Sequence, residues 1–258
     1  MRRKETDLFP EEERRIYSII SENNGIMARE LGRLTGLEKK EISRLLVSSA
    51  LMRELCYQDR EYRWHAIVRQ HAPWEGLYEF SGWYGTVGEF LREEEAEWLA
   101  RLEAGCTRIG RSLNDTRGLI HSFKDCRATM RRLFDDLEEM AAFPFRDWEI
   151  VFELRMNRAR WIRIYADVLI IASDKVFSLE FKMKDTVNPD EVLQAAKYVP
   201  YLEILFGRGM DIIPALVLTG ASDLFEYAEI SGSDCVLPVC SGDMLFNVLN
   251  EYMNFLRS

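Results

Sequence analysis

A glutamate and a lysine interrupt an apolar segment in the C-terminal half of the chain. The segment Phe177–Met183 reads FSLEFKM, with Glu180 and Lys182 two positions apart. Charged residues of this kind are disfavoured inside strands. Because side chains alternate between the two faces of a strand, these two would project from the same face. Asp167 lies about a dozen residues earlier, where a short hairpin would bring it beside Glu180.

Two carboxylates and an ammonium group at one end of a sheet suggest metal chemistry. Like charges held close together are unfavourable unless a cation neutralises them. A hard divalent cation such as Mg²⁺, bound by one or two carboxylates and several waters, suits this ligand set. The lysine would orient or deprotonate water and stabilise developing charge. On spacing alone, an ordinary Glu–Lys pair on a solvent-facing strand remains the alternative.

The elements that would position these residues lie in residues 148–258. Their order, α-β-β-β-α-β followed by a late strand and helix, predicts an α/β sandwich with a mixed sheet. Asn188-Pro189-Asp190-Glu191 is a helix-capping sequence, and Pro200 should kink or break the helix that it starts. The remaining predicted elements are strands at Trp148–Arg155, Trp161–Ala172, Lys175–Met183, Asp211–Thr219 and Val236–Val239, and a closing helix at Ser241–Leu256.

Two further regions precede this module. Residues 73–147 are predicted to form a helical bridge that packs on it, with helices at Val87–Glu103 and Ser112–Met140. Residues 1–72 are predicted to form three short helices, the third at Lys39–Met52, followed by a β-hairpin with a polar turn.

The N-terminal pattern resembles a winged helix-turn-helix, in which the third helix would be the recognition helix. Such a module would bind DNA, or it would serve as a docking site for another protein. The nucleic-acid contacts expected from the third helix and the wing are Lys39, Lys40, Ser43, Arg44, Arg60 and Arg63.

Asp167 followed by Glu180-Phe181-Lys182 resembles the signature of PD-(D/E)xK nucleases, which have a restriction-endonuclease-like fold. The segment Trp83–Leu91, the dipeptide Phe152-Glu153, and Gln194 and Tyr198 strengthen this. Together they resemble the nuclease domain fused to some bacterial helicases, over about residues 80–220. One departure is Ala166, where proline is common in the family.

The resemblance implies a Mg²⁺-dependent phosphodiesterase, most simply an endodeoxyribonuclease, with Mn²⁺ as a substitute metal. Asp167 and Glu180 would bind the metal with the backbone carbonyl of Phe181, and Lys182 and Gln194 would act in catalysis. Glu153 is our choice for a third acidic residue. Its competitors lie on the preceding helix, at Asp135, Asp136, Glu138 and Glu139.

The resemblance also implies partners: DNA rather than RNA, a second copy in a homodimer, and a separately encoded ATPase or helicase. Arg158, Arg160 and Arg163 crowd the turn between the first two strands with Arg155, where they would line a phosphate path or pair with surface acids. The rival interpretation is a DNA-binding regulator or adaptor whose nuclease fold is inactive.

Charge and composition narrow the alternatives. Residues 1–72 have a net charge of +2 and residues 73–258 of −11, so nucleic acid would be bound by local basic surfaces. The five scattered cysteines predict free buried thiols, and the three histidines lie outside residues 148–258. Neither a P-loop motif nor a Gly-x-Ser-x-Gly elbow occurs. With no signal-peptide h-region and no long apolar run, we expect a cytoplasmic protein that does not enter a membrane.

Overall fold

The computed structural model describes residues 10–66, 76–111, 116–139, 144–156, 164–207, 209–253 and 255. It is a mixed α/β structure with a seven-stranded sheet and, near the N-terminus, a separate three-stranded antiparallel sheet. No helix within these ranges is long and apolar enough to cross a membrane.

Residues 10–66, here the N-terminal module, combine four helices with the small sheet. The third and fourth helices correct the single helix predicted at Lys39–Met52. Ser49 has an extended backbone and its Oγ accepts a hydrogen bond from the Met52 amide at 3.2 Å, so a new helix starts there. The elements are α1 (Glu11–Glu22), β1 (Ile26–Met27), α2 (Ala28–Thr35), α3 (Lys39–Ser48), α4 (Ala50–Leu55), β2 (Cys56–Gln58) and β3 (Arg63–Ala66).

The small sheet has the order β1-β3-β2, and both of its pairings are antiparallel. The predicted hairpin is therefore present as β2 and β3. The two-residue strand β1 was not predicted, because a strand this short has no readable alternation.

Residues 76–111 and 116–139 are mostly helical, as predicted, but they also supply a strand to the large sheet. The helix predicted at Val87–Glu103 is interrupted at Glu93 and Glu94. The elements are α5 (Leu77–Phe80), β4 (Ser81–Thr86), α6 (Val87–Arg92), α7 (Glu95–Arg108) and α8 (Thr116–Glu139).

Strand β4 was missed because its sequence, SGWYGT, contains two glycines, which are uncommon in strands, and shows no clean alternation. It ends where a capping box starts α6. The Thr86 hydroxyl accepts a hydrogen bond from the Glu89 amide at 3.1 Å, and the Glu89 carboxylate accepts one from the Thr86 amide at 2.8 Å.

The large sheet has the strand order β4-β5-β6-β7-β8-β10-β9 and is mixed, as predicted. Strands β4 to β7 form successive antiparallel pairs, β7 pairs parallel with β8, and β8 pairs parallel with β10. The remaining elements are β5 (Glu149–Arg155), β6 (Tyr165–Ala172), β7 (Lys175–Lys182), α9 (Pro189–Lys197), α10 (Val199–Phe206), β8 (Asp211–Leu218), β9 (Phe225–Glu229), β10 (Val236–Ser241) and α11 (Leu245–Met253).

The C-terminal elements match the sequence predictions in part. The helix that starts at Asn188 breaks at Tyr198, two residues before Pro200, as expected. The closing helix was predicted too early: β10 continues to Ser241, and a single 3₁₀ turn separates it from α11. Strand β9 was not predicted, because it is an exposed edge strand with little apolar alternation.

Three apolar clusters cover the large sheet, and the two largest lie on its opposite faces. One contains Phe90 of α6, Trp98 of α7 and Met130 of α8, packed against Phe177 and Leu179 of β7. The other joins sheet residues to α10 and to the N-terminal module through contacts of Val151, Leu169, Tyr201, Ile16 and Leu46. An ion pair between Arg14 and Glu203, 2.9 Å long, lies at the same junction.

Helix α7 crosses strand β4 at a contact between two glycines. A Cβ atom on Gly105 would lie 1.8 Å from the carbonyl oxygen of Gly82. A Cβ atom on Gly82 would in turn lie 2.7 Å from the Leu102 side chain and 3.1 Å from Cβ of Glu153. Only hydrogen fits at Gly105, where the obstacle is backbone, so this glycine is required for α7 to approach the sheet this closely, whereas a Cβ atom at Gly82 would displace neighbouring side chains.

We therefore expect Gly105→Ala to destabilise the protein by roughly 1–3 kcal/mol or more, the usual cost of overpacking a filled core. This exceeds the gain of up to about 1 kcal/mol that alanine brings to a helix. Urea denaturation followed by circular dichroism measures the difference.

Gly209→Ala is the matched control, because a Cβ atom there meets nothing within 4 Å. Its unfolding midpoint should stay within error of the wild type. Equal midpoints for both variants would contradict the glycine contact.

Candidate functional site

Strand β7 separates its apolar and polar residues onto opposite faces. Phe177, Leu179 and Phe181 are buried in the core formed with α6, α7 and α8. Glu180 and Lys182 therefore project from the other face, as predicted from their spacing. The parallel neighbour β8 holds this end of β7, with Glu180 opposite Leu216 and Lys182 opposite Leu218.

Asp167 lies beside Glu180, at the point where the pairing of β6 with β7 ends. The last backbone pair in the register is Val168 with Leu179, so Asp167 is next in line to face Glu180. Its Oδ2 accepts a hydrogen bond from the Phe181 amide at 2.9 Å. The hairpin thus brings together the two carboxylates that the sequence predicted to be neighbours.

Lys182 and Gln194 complete the cluster. The Lys182 ammonium donates hydrogen bonds to Glu180 Oε1 at 2.8 Å and to Gln194 Oε1 at 3.3 Å. The Gln194 amide nitrogen lies 2.6 Å from Glu180 Oε1 and 2.8 Å from the Tyr198 hydroxyl. Gln194 and Tyr198 are four residues apart, so α9 and its C-cap place them one turn apart. The Asn188 side chain caps the first turn of this helix.

These side chains line a cleft of about 280 Å³. It contains five residues singled out from the sequence: Asp167, Glu180, Lys182, Gln194 and Tyr198. It also contains four that were missed: Arg111, Ile164, Tyr165 and Lys197. Lys197 could have been found from its position on the same helix as Gln194. Arg111 could not, since it arrives from a distant segment.

Burial makes both carboxyl groups hard to ionise. Burial, and then the charge of Asp167, raise the pKa of Glu180 to about 8. Burial also raises the pKa of Asp167, although the Phe181 amide and Lys182 act in the opposite direction. For Lys182, burial is outweighed by Glu180, which raises the pKa and keeps the amine protonated.

Glu153, our choice for the third acid, is buried and close to the pair but does not line the cleft. Burial, and then the charge of Asp167, raise its pKa to about 8. Its Oε2 lies 2.9 Å from Nε of Arg111, and its φ of 55° is in the left-handed region. Asp136 is one of the competing acids on α8. Burial raises its pKa, and the charges that act on it are those of its neighbours Arg132, Glu139 and Asp135, so no cleft residue contributes.

The carboxyl groups of Asp167 and Glu180 form a donor set that fits one divalent cation. Within the described residues, no group of three His, Cys, Asp or Glu side chains converges as a metal site. Two carboxylates do converge, and the buried Oε2 of Glu180 accepts no hydrogen bond of normal geometry in the described part of the chain. A buried carboxylate oxygen without a partner is unfavourable, and a cation shared with Asp167 would satisfy it.

The basic residues predicted to contact nucleic acid lie outside the cleft. On the N-terminal module, Lys39, Lys40, Arg44 and Arg60 are exposed, and Ser43 is half-buried. Arg63 is exposed but also engaged, donating to the Gly25 carbonyl at 3.3 Å and pairing with Glu61. Arg158, Arg160 and Arg163 lie outside the described residues, and Arg155 donates to the Ile109 carbonyl at 2.9 Å.

Histidine and cysteine chemistry finds no support in the described residues. His65 stacks on Tyr57 and bonds to Asp59 in the N-terminal module, and His121 is exposed on α8. All five cysteines are buried and free, as predicted.

Comparison with known proteins adds little. No protein-family model and no curated protein matches this chain. Among solved structures, the crystal structure of protein VC1899 from Vibrio cholerae is similar at 14% identity with a TM-score of 0.29. The match covers 95% of this chain and 57% of that one, so the chain spans little more than half of its length. A TM-score this low supports no statement about fold or activity.

If repulsion between the carboxylates destabilises the metal-free protein, Asp167→Asn should stabilise it. Asparagine keeps an oxygen that accepts the Phe181 amide and removes one of the two competing charges. We expect a gain of roughly 0.5–2 kcal/mol, as is common when a functional site is relieved of strain. Thermal unfolding in EDTA at neutral pH measures it.

Asp59→Asn is the opposite control. Hydrogen bonds from the Arg63 amide and from His65 lower the pKa of Asp59, so its charge is favourable in the folded state. That variant should unfold at a lower temperature than the wild type. A drop for Asp167→Asn as well would show that the carboxylate pair is not repulsive.

Proposed function

We propose that this protein is a Mg²⁺-dependent nuclease that hydrolyses phosphodiester bonds, most simply in DNA. The observation that supports this best is the convergence of Asp167, Glu180 and Lys182 at one end of neighbouring strands. Three groups from separate parts of the sequence meet in an open cleft there. Two of them are buried carboxyl groups, and the neighbouring Lys182 does not offset the effect of burial on the pKa of Glu180.

The order of elements is compatible with the resemblance to PD-(D/E)xK nucleases. Helix α8, strands β5 to β7, helix α9 and strand β8 are compatible with the α-β-β-β-α-β order of a restriction-endonuclease-like core, with α10 as an additional helix before β8. The acids lie on β6 and β7 and the glutamine on α9, as the resemblance implies. The additional strands β4, β9 and β10 extend this core on both sides.

Each cleft residue has a role in this proposal. Asp167 and Glu180, with the Phe181 carbonyl, would hold Mg²⁺, which when bound polarises the phosphate and acidifies a water molecule. Lys182 keeps its proton beside Glu180, so it would offset negative charge in the transition state and orient the water, not remove its proton. Gln194 contacts both Lys182 and Glu180 and would orient the nucleophile.

The N-terminal module supports a nucleic-acid substrate. Its order, α1-β1-α2-α3-α4-β2-β3 with a three-stranded antiparallel sheet, is compatible with a winged helix-turn-helix. Lys39, Lys40 and Arg44 are exposed near the start of α3, where a recognition helix contacts DNA. Mixed acidic residues on the same module, such as Glu38 and Glu41, keep protein docking as the alternative.

The decisive experiment is plasmid nicking with Mg²⁺ or Mn²⁺, comparing the wild type with Lys182→Met. Methionine keeps the apolar part of the side chain but removes the charge. We expect the rate to fall by about 10²–10³, the usual effect of losing one stabilising donor. EDTA should abolish cleavage by the wild type.

Lys175→Met is the matched control at the opposite end of the same strand. Lys175 pairs with Asp174 and Asp211, far from the cleft, and its loss should leave the rate unchanged. If wild type and Lys182→Met nick equally, the site is wrong. If the wild type cleaves neither DNA nor RNA with any divalent metal, the inactive DNA-binding adaptor becomes the better description.

The role of the N-terminal module can be tested by salt dependence. Replacing Lys39, Lys40 and Arg44 together by alanine should weaken DNA binding and flatten the plot of log affinity against log salt by up to about three units of slope. The control removes the same number of charges at Arg15, Arg29 and Arg53, on other helices. An unchanged slope in the first variant would favour protein docking.

A further inference from the structure

Arg111 enters the cleft from the end of α7, outside the strands that carry the acids. Its position is set by a Schellman motif. The Arg111 amide donates to the Cys106 carbonyl at 2.9 Å, and the Gly110 amide donates to the Thr107 carbonyl at 3.2 Å. Gly110 has a φ of 75°, which glycine adopts without strain. The contact between Gly82 and Gly105 anchors the same helix against β4, so the arginine projects from a rigid support.

The Arg111 guanidinium is fixed on two sides. Its Nε forms an ion pair with Oε2 of the buried Glu153 at 2.9 Å, without the alignment of a hydrogen bond. Its plane lies over the ring of Tyr165, with the central carbon 4.6 Å from the ring centroid. Neither terminal NH₂ group makes a hydrogen bond or ion pair within the described part of the chain, and the side chain is 30% exposed.

This arrangement leaves two parallel donors in a cleft that also holds Lys182 and Lys197. A guanidinium held by its Nε and its face presents the planar fork that binds phosphate oxygens in pairs. A phosphodiester carries one negative charge, and the unpaired NH₂ groups of Arg111 are placed to bind its two non-bridging oxygens.

We infer that Arg111 binds a phosphate group of the nucleic-acid strand in the cleft, and that Glu153 is the positioning residue for Arg111 and not a third metal ligand. The inference rests on the proposed function for the class of ligand. It accounts for a carboxylate that is buried beside two others, has a left-handed backbone and does not line the cleft. Its partner needs it there to keep the fork oriented.

The test separates phosphate binding from simple neutralisation of Glu153. Arg111→Met alone leaves the Glu153 carboxylate buried without its cation and should lower the unfolding temperature. The double variant Arg111→Met/Glu153→Gln removes both charges and should restore most of that stability. Its affinity for a thymidine trinucleotide should nevertheless fall about 10-fold or more. Binding is measured in EDTA by calorimetry or NMR titration.

Arg111→Lys provides a second, milder variant that keeps the charge opposite Glu153. This variant should fold normally because it keeps that charge. It should still bind the trinucleotide several-fold more weakly, because lysine lacks the planar fork. Wild-type affinity in either the double variant or Arg111→Lys would overturn the inference, and so would a wild type that does not bind the trinucleotide.

Because these titrations contain no metal, they are independent of cleavage. A protein that binds through Arg111 but never cuts DNA or RNA would refute the nuclease proposal and leave the phosphate site standing. A protein that cuts, with affinity unaffected by Arg111, would refute only the phosphate site.

Discussion

Two carboxyl groups are buried side by side at the end of a hairpin, and burial raises the pKa of both. Asp167 and Glu180 are close because β6 and β7 are adjacent antiparallel strands whose register is fixed by apolar pairs such as Val168 and Leu179. The pairing and the two cores supply the free energy that keeps them in place. Hydrogen bonds from the Phe181 amide to Asp167 and from Lys182 and Gln194 to Glu180 offset part of the cost of this burial.

The rest of the sheet makes this arrangement rigid. Strand β7 is flanked by β6 and β8 and is covered on its apolar face by helices α6, α7 and α8, so its polar face cannot turn away. Helix α9 crosses from β7 to β8 and delivers Gln194 to the same edge. On the far side, the close contact between α7 and β4 brings Arg111 to the cleft. Each wall of the site therefore stands on a different packed element.

The charge distribution of the cleft differs from that of the chain. Residues 73–258 are strongly acidic, yet the cleft gathers Arg111, Lys182 and Lys197 around its acidic pair. An overall negative charge thus says little about what the protein binds, because recognition depends on the potential within the cleft. Glu153 illustrates the same point: it is an acid whose neighbour Arg111, not its own carboxylate, faces the open space.

Local sequence patterns were enough to predict the hairpin of the N-terminal module, the three strands β5 to β7, the capped start of α9 and the shared face of Glu180 and Lys182. These features depend on alternation, capping and turn residues, which act over a few positions. The same patterns predicted that Asp167 lies beside Glu180, because the connection of a hairpin is short. Strand β4, the break at Ser49 and the late start of α11 were not predicted, since two glycines, a single capping serine and the continuation of β10 to Ser241 leave no periodic signal.

The tertiary structure alone decided which distant groups share the cleft. Arg111 and Tyr165 are far apart in sequence, and they meet only because Gly105 allows α7 to touch β4 and a Schellman motif turns the chain at Gly110. The placement of Glu153 against Arg111 depends on the same contact and on a left-handed backbone that no pattern in the sequence indicates. Spacing along the chain determines neighbours within a strand or helix, whereas the packing of non-adjacent elements determines neighbours across a site.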